Sequence, residues 1–262
     1  MKTSRLTALR PGLIEDLDLA WDGSVVAFVR TGAGGHIVGE GWDLERLPPL
    51  RFPCLRVIDD SRVLLVDTRT ADDAPNAWIL DRQGEVLAHF LAGDAIQDVV
   101  VSPPFIAVTY FDEAYSSRGP GGEGVSFFDF EGHLLWGYRA QFGAEAADVV
   151  DVYAAASDEA GCLWFYPYTE FPLIRLDLHA REQTLFTPPE LLHGSNAVSI
   201  HDATAYFVGP YERRGYLFEW PLGAPEARRL GTLHGAARGL PGGRFIALRE
   251  GKWSLVEDVA AP

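Results

Sequence analysis

Cysteine is scarce in this chain, and the shortage argues against the common cysteine-based sites. The 262 residues contain two cysteines, Cys54 and Cys162, which lie in separate apolar runs. No CxxC pair and no Cys/His spacing typical of zinc ligands occurs, so a zinc site is not expected. Because the two cysteines lie far apart in strand-like segments, we predict buried, reduced thiols in different parts of the fold.

Lysine and long hydrophobic runs are also nearly absent. Lys2 and Lys252 are the only lysines among 22 basic residues, and 37 acidic residues give a net charge of −15. This balance lacks the basic footprint that binding to a nucleic-acid backbone requires. No run approaches the ~18 apolar residues of a membrane helix, and no apolar segment follows the charged N-terminus as in a signal peptide. The sequence therefore predicts a cytoplasmic protein with neither a nucleic-acid nor a membrane partner.

The motifs of common catalytic sites are missing as well. The sequence has no Gly-x-Ser-x-Gly elbow and no P-loop. Its glycine-rich residues 119–124 lack the lysine and the following helix that would cradle a phosphate. By contrast, 47% apolar and 12% aromatic residues, with 27 glycines and 17 prolines, are typical of a folded, turn-rich all-β protein.

What the sequence does contain is a repeat of four short apolar runs separated by turn residues. The pattern occurs six times, in residues 17–53, 54–94, 95–145, 146–194, 195–235 and from residue 236 onward. The last unit has only three runs, while a spare run, residues 5–9, precedes the first unit. We therefore predict a ring of sheets that is closed by its own N-terminal strand, which removes exposed sheet edges.

This repeat resembles that of β-propeller proteins. The runs at residues 110–113, 151–154 and 168–172 are similar to those of bacterial propellers to which no activity is assigned. The resemblance implies an all-β, six-bladed β-propeller of four-stranded antiparallel blades, with residues 1–262 forming one domain. Trp42-Asp43 occurs without the Gly-His partner of the Trp-Asp repeat family, so that family is not indicated. A β-sandwich also has many short strands, but it does not need the same pattern six times.

In a propeller, the first strand of each blade lies nearest the central channel, and the loops before strand one and after strand two open on one face. This geometry, implied by the resemblance, brings side chains that are distant in the sequence to one rim of the channel. Blade five contributes Asn196, Tyr211 and Glu212 to that rim. We predict that an acidic and aromatic group and an arginine group converge there as ligand-binding residues. They are Asp98, Tyr110, Asp112, Glu113, Asp148, Asp151, Tyr168 and Glu170, with Arg56, Arg69 and Arg238. The competing interpretation is that these charges are solvated or pair with one another.

The absence of catalytic motifs favours a binding module that presents this polar, tyrosine-bearing rim to a protein or a small ligand. The alternative is a metal-dependent, lactonase-like hydrolase acting at the channel mouth. No cofactor and no catalytic residue is predicted, although clustered carboxylates could hold Ca²⁺ there. Propeller lactonases use Glu, Asn and Asp ligands, which Asn76 and Asn196, the only asparagines, match poorly. A third possibility is an antagonist whose acidic face covers a basic protein.

Overall fold

The computed structural model describes residues 12–32, 34–71, 74–257 and 259, and their strands form six antiparallel sheets, one for each predicted repeat. Each sheet is a meander in which strands that follow one another in the sequence pair with each other. Among the described residues, five sheets have four strands and the last has three. We number these sheets as blades 1–6 in chain order.

Blades 1–3 belong to one compact unit, which comprises described residues 12–146 and Glu250–Lys252. Blade 1 consists of β1 (Leu13–Leu19), β2 (Val25–Thr31), β3 (Gly34–Gly39) and β4 (Trp42–Leu44). Blade 2 consists of β5 (Pro53–Asp59), β6 (Arg62–Asp67), β7 (Ala77–Asp81) and β8 (Val86–Phe90). Blade 3 consists of β9 (Ile96–Ser102), β10 (Phe105–Tyr110), β11 (Val125–Phe128) and β12 (Leu134–Gly137).

Apart from Lys252 at the start of the last strand, blades 4–6 belong to the second compact unit, which comprises Ala147–Arg249 and described residues 253–257 and 259. Blade 4 consists of β13 (Asp151–Ser157), β14 (Leu163–Tyr168), β15 (Leu173–Asp177) and β16 (Glu182–Phe186). Blade 5 consists of β17 (Ala197–His201), β18 (Thr204–Val208), β19 (Tyr216–Pro221) and β20 (Arg228–Thr232). Blade 6 consists of β21 (Ala236–Leu240), β22 (Arg244–Arg249) and β23 (Lys252–Val256).

Among the described residues, helical structure is limited to short segments in the connections. One α-helix, α1 (Tyr138–Phe142), follows β12, and 3-10 turns occur at Asp112–Ala114, Pro120–Glu123, Gly143–Glu145 and Glu190–Leu192. In the described part of the chain, no helix has the length and apolar character needed to cross a membrane.

Within each unit, neighbouring blades pack through apolar side chains from both faces of their strands. Phe90 of blade 2 contacts Phe128 of blade 3 with ring centroids 5.2 Å apart, and Tyr166 of blade 4 contacts Phe207 of blade 5 at 5.1 Å. Because both faces of a blade are covered, strands such as β6 are almost entirely buried. This explains why the sequence shows continuous apolar runs rather than a strict alternation.

Aspartate side chains build several of the hairpin turns. The Oδ1 atoms of Asp81, Asp129 and Asp158 each accept two backbone N–H groups, from residues two and four positions later. Three residues after each aspartate stands a glycine with a left-handed φ of 81–83°: Gly84, Gly132 and Gly161. The side chain thus supplies the acceptor for the turn and glycine supplies the backbone conformation.

The predicted fold class is confirmed: the chain is a six-bladed β-propeller of antiparallel blades. Cys54 in blade 2 and Cys162 in blade 4 are buried free thiols, as predicted. The predicted closing strand, residues 5–9, lies outside the described residues. The fourth repeat was predicted to open with a strand at residues 148–153, and this start was wrong: β13 begins at Asp151, and Asp148 lies in the preceding loop. The apolar Val149 that suggested an earlier start is buried in that loop instead.

Candidate functional site

Arg56 joins the first strands of blades 1–3. It lies in β5 with a buried side chain, and its guanidinium donates to the carboxylates of Asp16 in β1 and Asp98 in β9. Its other N–H groups donate to the carbonyl oxygens of Leu55 and Val99, both at 2.6 Å. A guanidinium whose donors are met by two carboxylates and two carbonyls has a structural role. Arg56 and Asp98, both predicted as rim residues, therefore neutralise each other within the first unit.

Arg69 forms a second, more exposed network in the same unit. Its Nε donates to Asp94 at 3.0 Å, its Nη2 donates to Glu113 at 2.7 Å, and its guanidinium lies 5.4 Å from the centre of the Phe111 ring. Partial burial acts to raise the pKa of Asp94, but hydrogen bonds from Arg69 and the Thr70 N–H outweigh it and hold that pKa below its usual value. Arg69 and Glu113, both predicted as rim residues, contact each other as an ion pair.

Tyr110 was predicted at the rim, but it lies in the core between blades 2 and 3. Its ring is 1% exposed, and its hydroxyl donates to the carbonyl oxygen of Ala92. Burial raises the pKa of this phenol. Side chains alternate between the two faces of a strand, and Tyr110 at the end of β10 faces inward. Asp112, two residues further on, is exposed at the start of a 3-10 turn.

An aromatic cluster lies at one end of blades 4 and 5 in the second unit. Tyr168 ends β14, and Phe171 follows it in the loop to β15, whereas the loops on either side of β17 and β18 bring in two further rings. The fifth ring comes from the interior of β13. We call these five residues the tyrosine cluster: Tyr153, Tyr168, Phe171, His193 and Tyr211.

Phe171 is the centre of the tyrosine cluster. Its ring centroid lies 5.4 Å from Tyr153, 5.5 Å from Tyr168 and 5.8 Å from Tyr211, in edge-to-face geometry each time, and it stacks on His193 at 4.8 Å. Phe171 is only 4% exposed, whereas Tyr168 is 43% and Tyr211 51% exposed. The buried ring therefore supports two rings that present much of their surface to solvent.

The backbone is irregular at two members of this cluster. Tyr153 is the extra residue of a β-bulge, because Val152 pairs with Pro167 while Ala154 pairs with Tyr166. Phe171 adopts a left-handed φ of 54°, which is costly for a large non-glycine residue. Bulges re-aim side chains, and strained residues persist where the surroundings hold them, so both features concentrate at functional sites.

Gly194 makes room for the exposed ring of Tyr211. It has a φ of +74°, and a Cβ atom added there would lie 2.4 Å from Cγ and Cδ1 of Tyr211. The backbone N–H of Tyr211 donates to the carbonyl oxygen of His193 at 3.0 Å, which ties the two loops together. A side chain at position 194 would force the ring out of its place.

The hydroxyl groups of Tyr153 and Tyr211 form a hydrogen bond with each other. Burial, followed by this hydrogen bond, raises the pKa of Tyr153, so this phenol stays protonated near neutral pH. One O–H is used within the pair, which leaves the other hydroxyl proton to donate to a ligand. The site is therefore an aromatic surface with one oriented polar group.

The remaining predicted residues of the second unit are not members of this cluster. Asp148 and Glu170 are exposed in loops of blade 4, Asp151 pairs with Tyr168 across β13 and β14, and Arg238 is partly buried in β21. Convergence of all eleven predicted residues, which come from both units, stays a prediction. Sequence reasoning did not select Tyr153, Phe171 or His193 as site residues, because neither a bulge nor a left-handed φ is visible in residue order.

One group of described residues has the geometry of a possible metal site, and it is not the predicted one. The ligand atoms of Asp129, Glu131 and His133 lie within 4.8 Å of one another on the hairpin between β11 and β12. Asp129 already accepts two backbone N–H groups through Oδ1 and contacts His133 Nδ1 through Oδ2 at 3.0 Å. These contacts account for the arrangement as a turn. Two of the rim carboxylates that could have supplied ligands to calcium, Asp98 and Glu113, are paired with arginine instead.

Comparison with known proteins identifies the fold and no family. No family model and no curated protein matches the chain. A catalytically inactive form of virginiamycin B lyase from Staphylococcus aureus, solved with quinupristin, is similar with a TM-score of 0.62 at 13% identity, over 94% of this chain and 80% of that one. A streptogramin B lyase structure is similar with a TM-score of 0.61 at 10% identity, over 97% and 96% of the two chains.

A sensor domain is similar as well. The extracellular domain of a putative one-component system from B. thetaiotaomicron has a TM-score of 0.55 at 11% identity, and the match covers all of this chain but 34% of the longer one. The two lyases are β-propeller proteins. At such low identity, these similarities establish the shared fold alone.

Proposed function

We propose that this protein is a binding module whose ligand, a protein or a small molecule, docks on the tyrosine cluster. The single observation that carries the proposal is the pair of exposed rings, Tyr168 and Tyr211, held by a buried phenylalanine with a strained backbone. Tyrosine combines a large apolar ring with a hydroxyl group, so it can anchor a partner while losing little conformational entropy.

The cost of building the cluster supports a role beyond stability. The left-handed backbone of Phe171 costs on the order of 1–3 kcal/mol. Filling the core with an aromatic ring does not require this conformation. The bulge at Tyr153 and the glycine at position 194 are two further local departures that place rings at the same spot. Three unrelated irregularities that serve one exposed surface favour selection for recognition.

The propeller fold suits such a role, because it commonly serves as a scaffold that presents loops for binding or interaction. Its relatives in structure include lyases and an extracellular sensor domain, one of the lyases solved with quinupristin. The lyase solved with quinupristin adds that compound to the small molecules to be screened. We also propose that the protein works in the cytoplasm, for which its two free, buried thiols are suited.

A thermal-shift screen of metabolites and peptides tests the proposal. A ligand present at ~100 times its Kd adds about 2.7 kcal/mol to the free energy of unfolding, which raises Tm by about 5 °C or more in a chain of this size. We expect such ligands to lose their effect on the double variant Tyr168→Ala/Tyr211→Ala. Tyr115→Ala is the control, because Tyr115 is 42% exposed but lies in blade 3. Ligands that stabilise the double variant as well as the unchanged protein would refute the proposed site.

The alternative, a metal-dependent hydrolase, has weaker support. A hard cation needs several free carboxylate oxygens, and Arg56 and Arg69 already bind the carboxylates of Asp98 and Glu113. Titration calorimetry with Ca²⁺, Mg²⁺, Mn²⁺ and Zn²⁺ separates the two functions. We expect any heat to be unchanged in Asp98→Asn and Glu113→Gln, and a loss of heat in either variant would favour the hydrolase.

A further inference from the structure

The loop that carries Tyr211 also carries two arginines whose side chains pair with nothing in the described part of the chain. Arg213 and Arg214 are exposed. The hydrogen bonds of Arg213 involve its backbone only: its N–H donates to the carbonyl oxygen of Pro210, and its carbonyl oxygen accepts from the N–H of Tyr216. By contrast, Arg56 and Arg69 each bind two carboxylates. A guanidinium group that has no carboxylate partner within the protein can recognise a carboxylate or a phosphate of a ligand.

A third arginine extends this feature along blade 5. The guanidinium of Arg229 lies 3.8 Å from the centre of the Tyr216 ring, and Tyr216 directly follows the loop. Arg229 forms no ion pair among the described residues, whereas its neighbour Arg228 binds Glu219. We call Arg213, Arg214 and Arg229 the arginine strip. Its charge contrasts with the net charge of −15 of the whole chain.

We propose that the partner of the tyrosine cluster is an acidic protein segment that carries an aromatic or aliphatic side chain beside its carboxylates. This inference rests on the proposed function and names its ligand. The apolar side chain would pack on Tyr168 and Tyr211, and the carboxylates would bind Arg213 and Arg214. Tyrosine and arginine are the residue types that contribute most to protein interfaces, and here they share one loop.

The small size of the arginine strip and the acidic residues near it favour a peptide over a nucleic acid as the ligand. Nucleic-acid backbones are bound by extended basic tracks, whereas the arginine strip has three members. Three carboxylates belong to the same part of the blades: Glu170 and Glu212, which are exposed, and Asp151, which lies opposite Tyr168. A short peptide can place one or two carboxylates on the arginines and avoid these three acidic residues. Complementary charge of this kind selects partners and speeds their association more than it adds affinity.

Selection from a phage-displayed library of random peptides tests the inference. We expect peptides enriched in Asp or Glu next to an aromatic or aliphatic residue, and their affinity, measured by fluorescence polarisation, should fall as salt rises. Reversal of two charges in Arg213→Glu/Arg214→Glu should weaken binding by about tenfold or more. The control is Arg46→Glu/Arg118→Glu, an equal change in charge at two other exposed arginines, which should leave the affinity within about twofold.

The outcomes separate this inference from the proposed function. If the selected peptides depend on Tyr168 and Tyr211 but show no acidic bias, or bind the Arg213/Arg214 variant unchanged, the inference is wrong and the proposed function stands. If no peptide is enriched over a blank surface, the inference is wrong, and the small-molecule screen decides the proposed function. A labelled single-stranded oligonucleotide that binds more tightly than the peptides would also overturn it.

Discussion

Single residues carry most of the argument for the binding surface. Tyr211 is exposed because Gly194 leaves room for its ring, and Phe171 adopts a left-handed backbone that puts its own ring beneath Tyr168 and Tyr211. Single substitutions can therefore test these features. Glycine is needed at position 194 both for the positive φ and for the close approach of the ring.

We predict that Gly194→Ala displaces Tyr211 and weakens ligand binding by about tenfold, because an interface tyrosine contributes more than about 1 kcal/mol. The matched control is Gly223→Ala, since Gly223 has a φ of +80° but no atom within 4 Å of an added Cβ. Both variants should lose about 1 kcal/mol of stability from the left-handed alanine, but only Gly194→Ala should lose affinity. Equal affinity of the two variants, measured by calorimetry, would contradict this role.

A second prediction at this scale concerns Arg56. Replacement by methionine leaves the Asp16 and Asp98 carboxylates without their partner, so we expect a loss of about 3–5 kcal/mol in the free energy of unfolding. Arg62→Met is the comparison, because Arg62 and Asp59 form a more exposed pair, and it should cost about 0–1 kcal/mol. Urea titrations measure both. Similar losses in the two variants would show that Arg56 has no special structural role.

Residue order could identify only part of this site. Tyr168 was predictable, because it stands at the end of a second strand in the repeat. Tyr110 occupies the same place in blade 3 but is buried, since the repeat gives the position of a residue and not the face it points to. Tyr153 was not predictable, because one extra residue in β13 turns its ring toward Tyr211.

At the scale of the element, the hairpins depend on aspartate. Asp177 ends β15, and its Oδ1 accepts the backbone N–H groups of His179 and Ala180 at 3.0 and 2.9 Å. Hydrogen bonds from Ala180 and then His179 outweigh partial desolvation and lower the pKa of Asp177. A lowered pKa means that the ionised form is the one that stabilises the folded state.

The sign of this shift gives a pH-dependent prediction. The charge of Asp177 should stabilise the fold above the unfolded pKa of about 3.9, and this stabilisation should disappear as pH falls through the lower folded value. Asp177→Asn keeps an oxygen acceptor and loses the charge, so it should be less stable than the unchanged protein at pH 6 but not at pH 2.5. Asp177→Ala should lose about 1 kcal/mol more through the missing hydrogen bonds. A larger deficit of Asp177→Asn at low pH, in urea titrations, would contradict the assignment.

Strands and turns were largely predictable from the pattern of apolar runs and turn residues. Short apolar runs between Asp and Gly turns specify hairpins. The runs predicted at residues 63–66, 77–80, 86–90, 197–200, 205–208 and 216–220 coincide with β6, β7, β8, β17, β18 and β19. The error at β13 came from Val149, which is apolar because its loop packs inward. Apolar residues in a packed loop cannot be distinguished from a strand by pattern alone.

At the scale of the molecule, the sequence predicts six blades because the same four-run unit recurs six times, and the structure has six sheets. Function could not be predicted in this way. A propeller supports many unrelated activities, so the specific site must supply the argument. The net charge of −15 argues against a nucleic-acid partner. A value for the whole chain does not show that the arginine strip lies in blade 5.

The central claim is that a ligand docks on the exposed rings of the tyrosine cluster, and fluorine NMR tests it most directly. The chain has nine tyrosines, which can be labelled as 3-fluorotyrosine and assigned by single Tyr→Phe substitutions. On titration with a ligand from the thermal-shift screen or a selected peptide, the resonances of Tyr153, Tyr168 and Tyr211 should shift, while those of buried Tyr110 and exposed Tyr115 should not. A shift at Tyr115 with none at Tyr168 and Tyr211 would contradict the account.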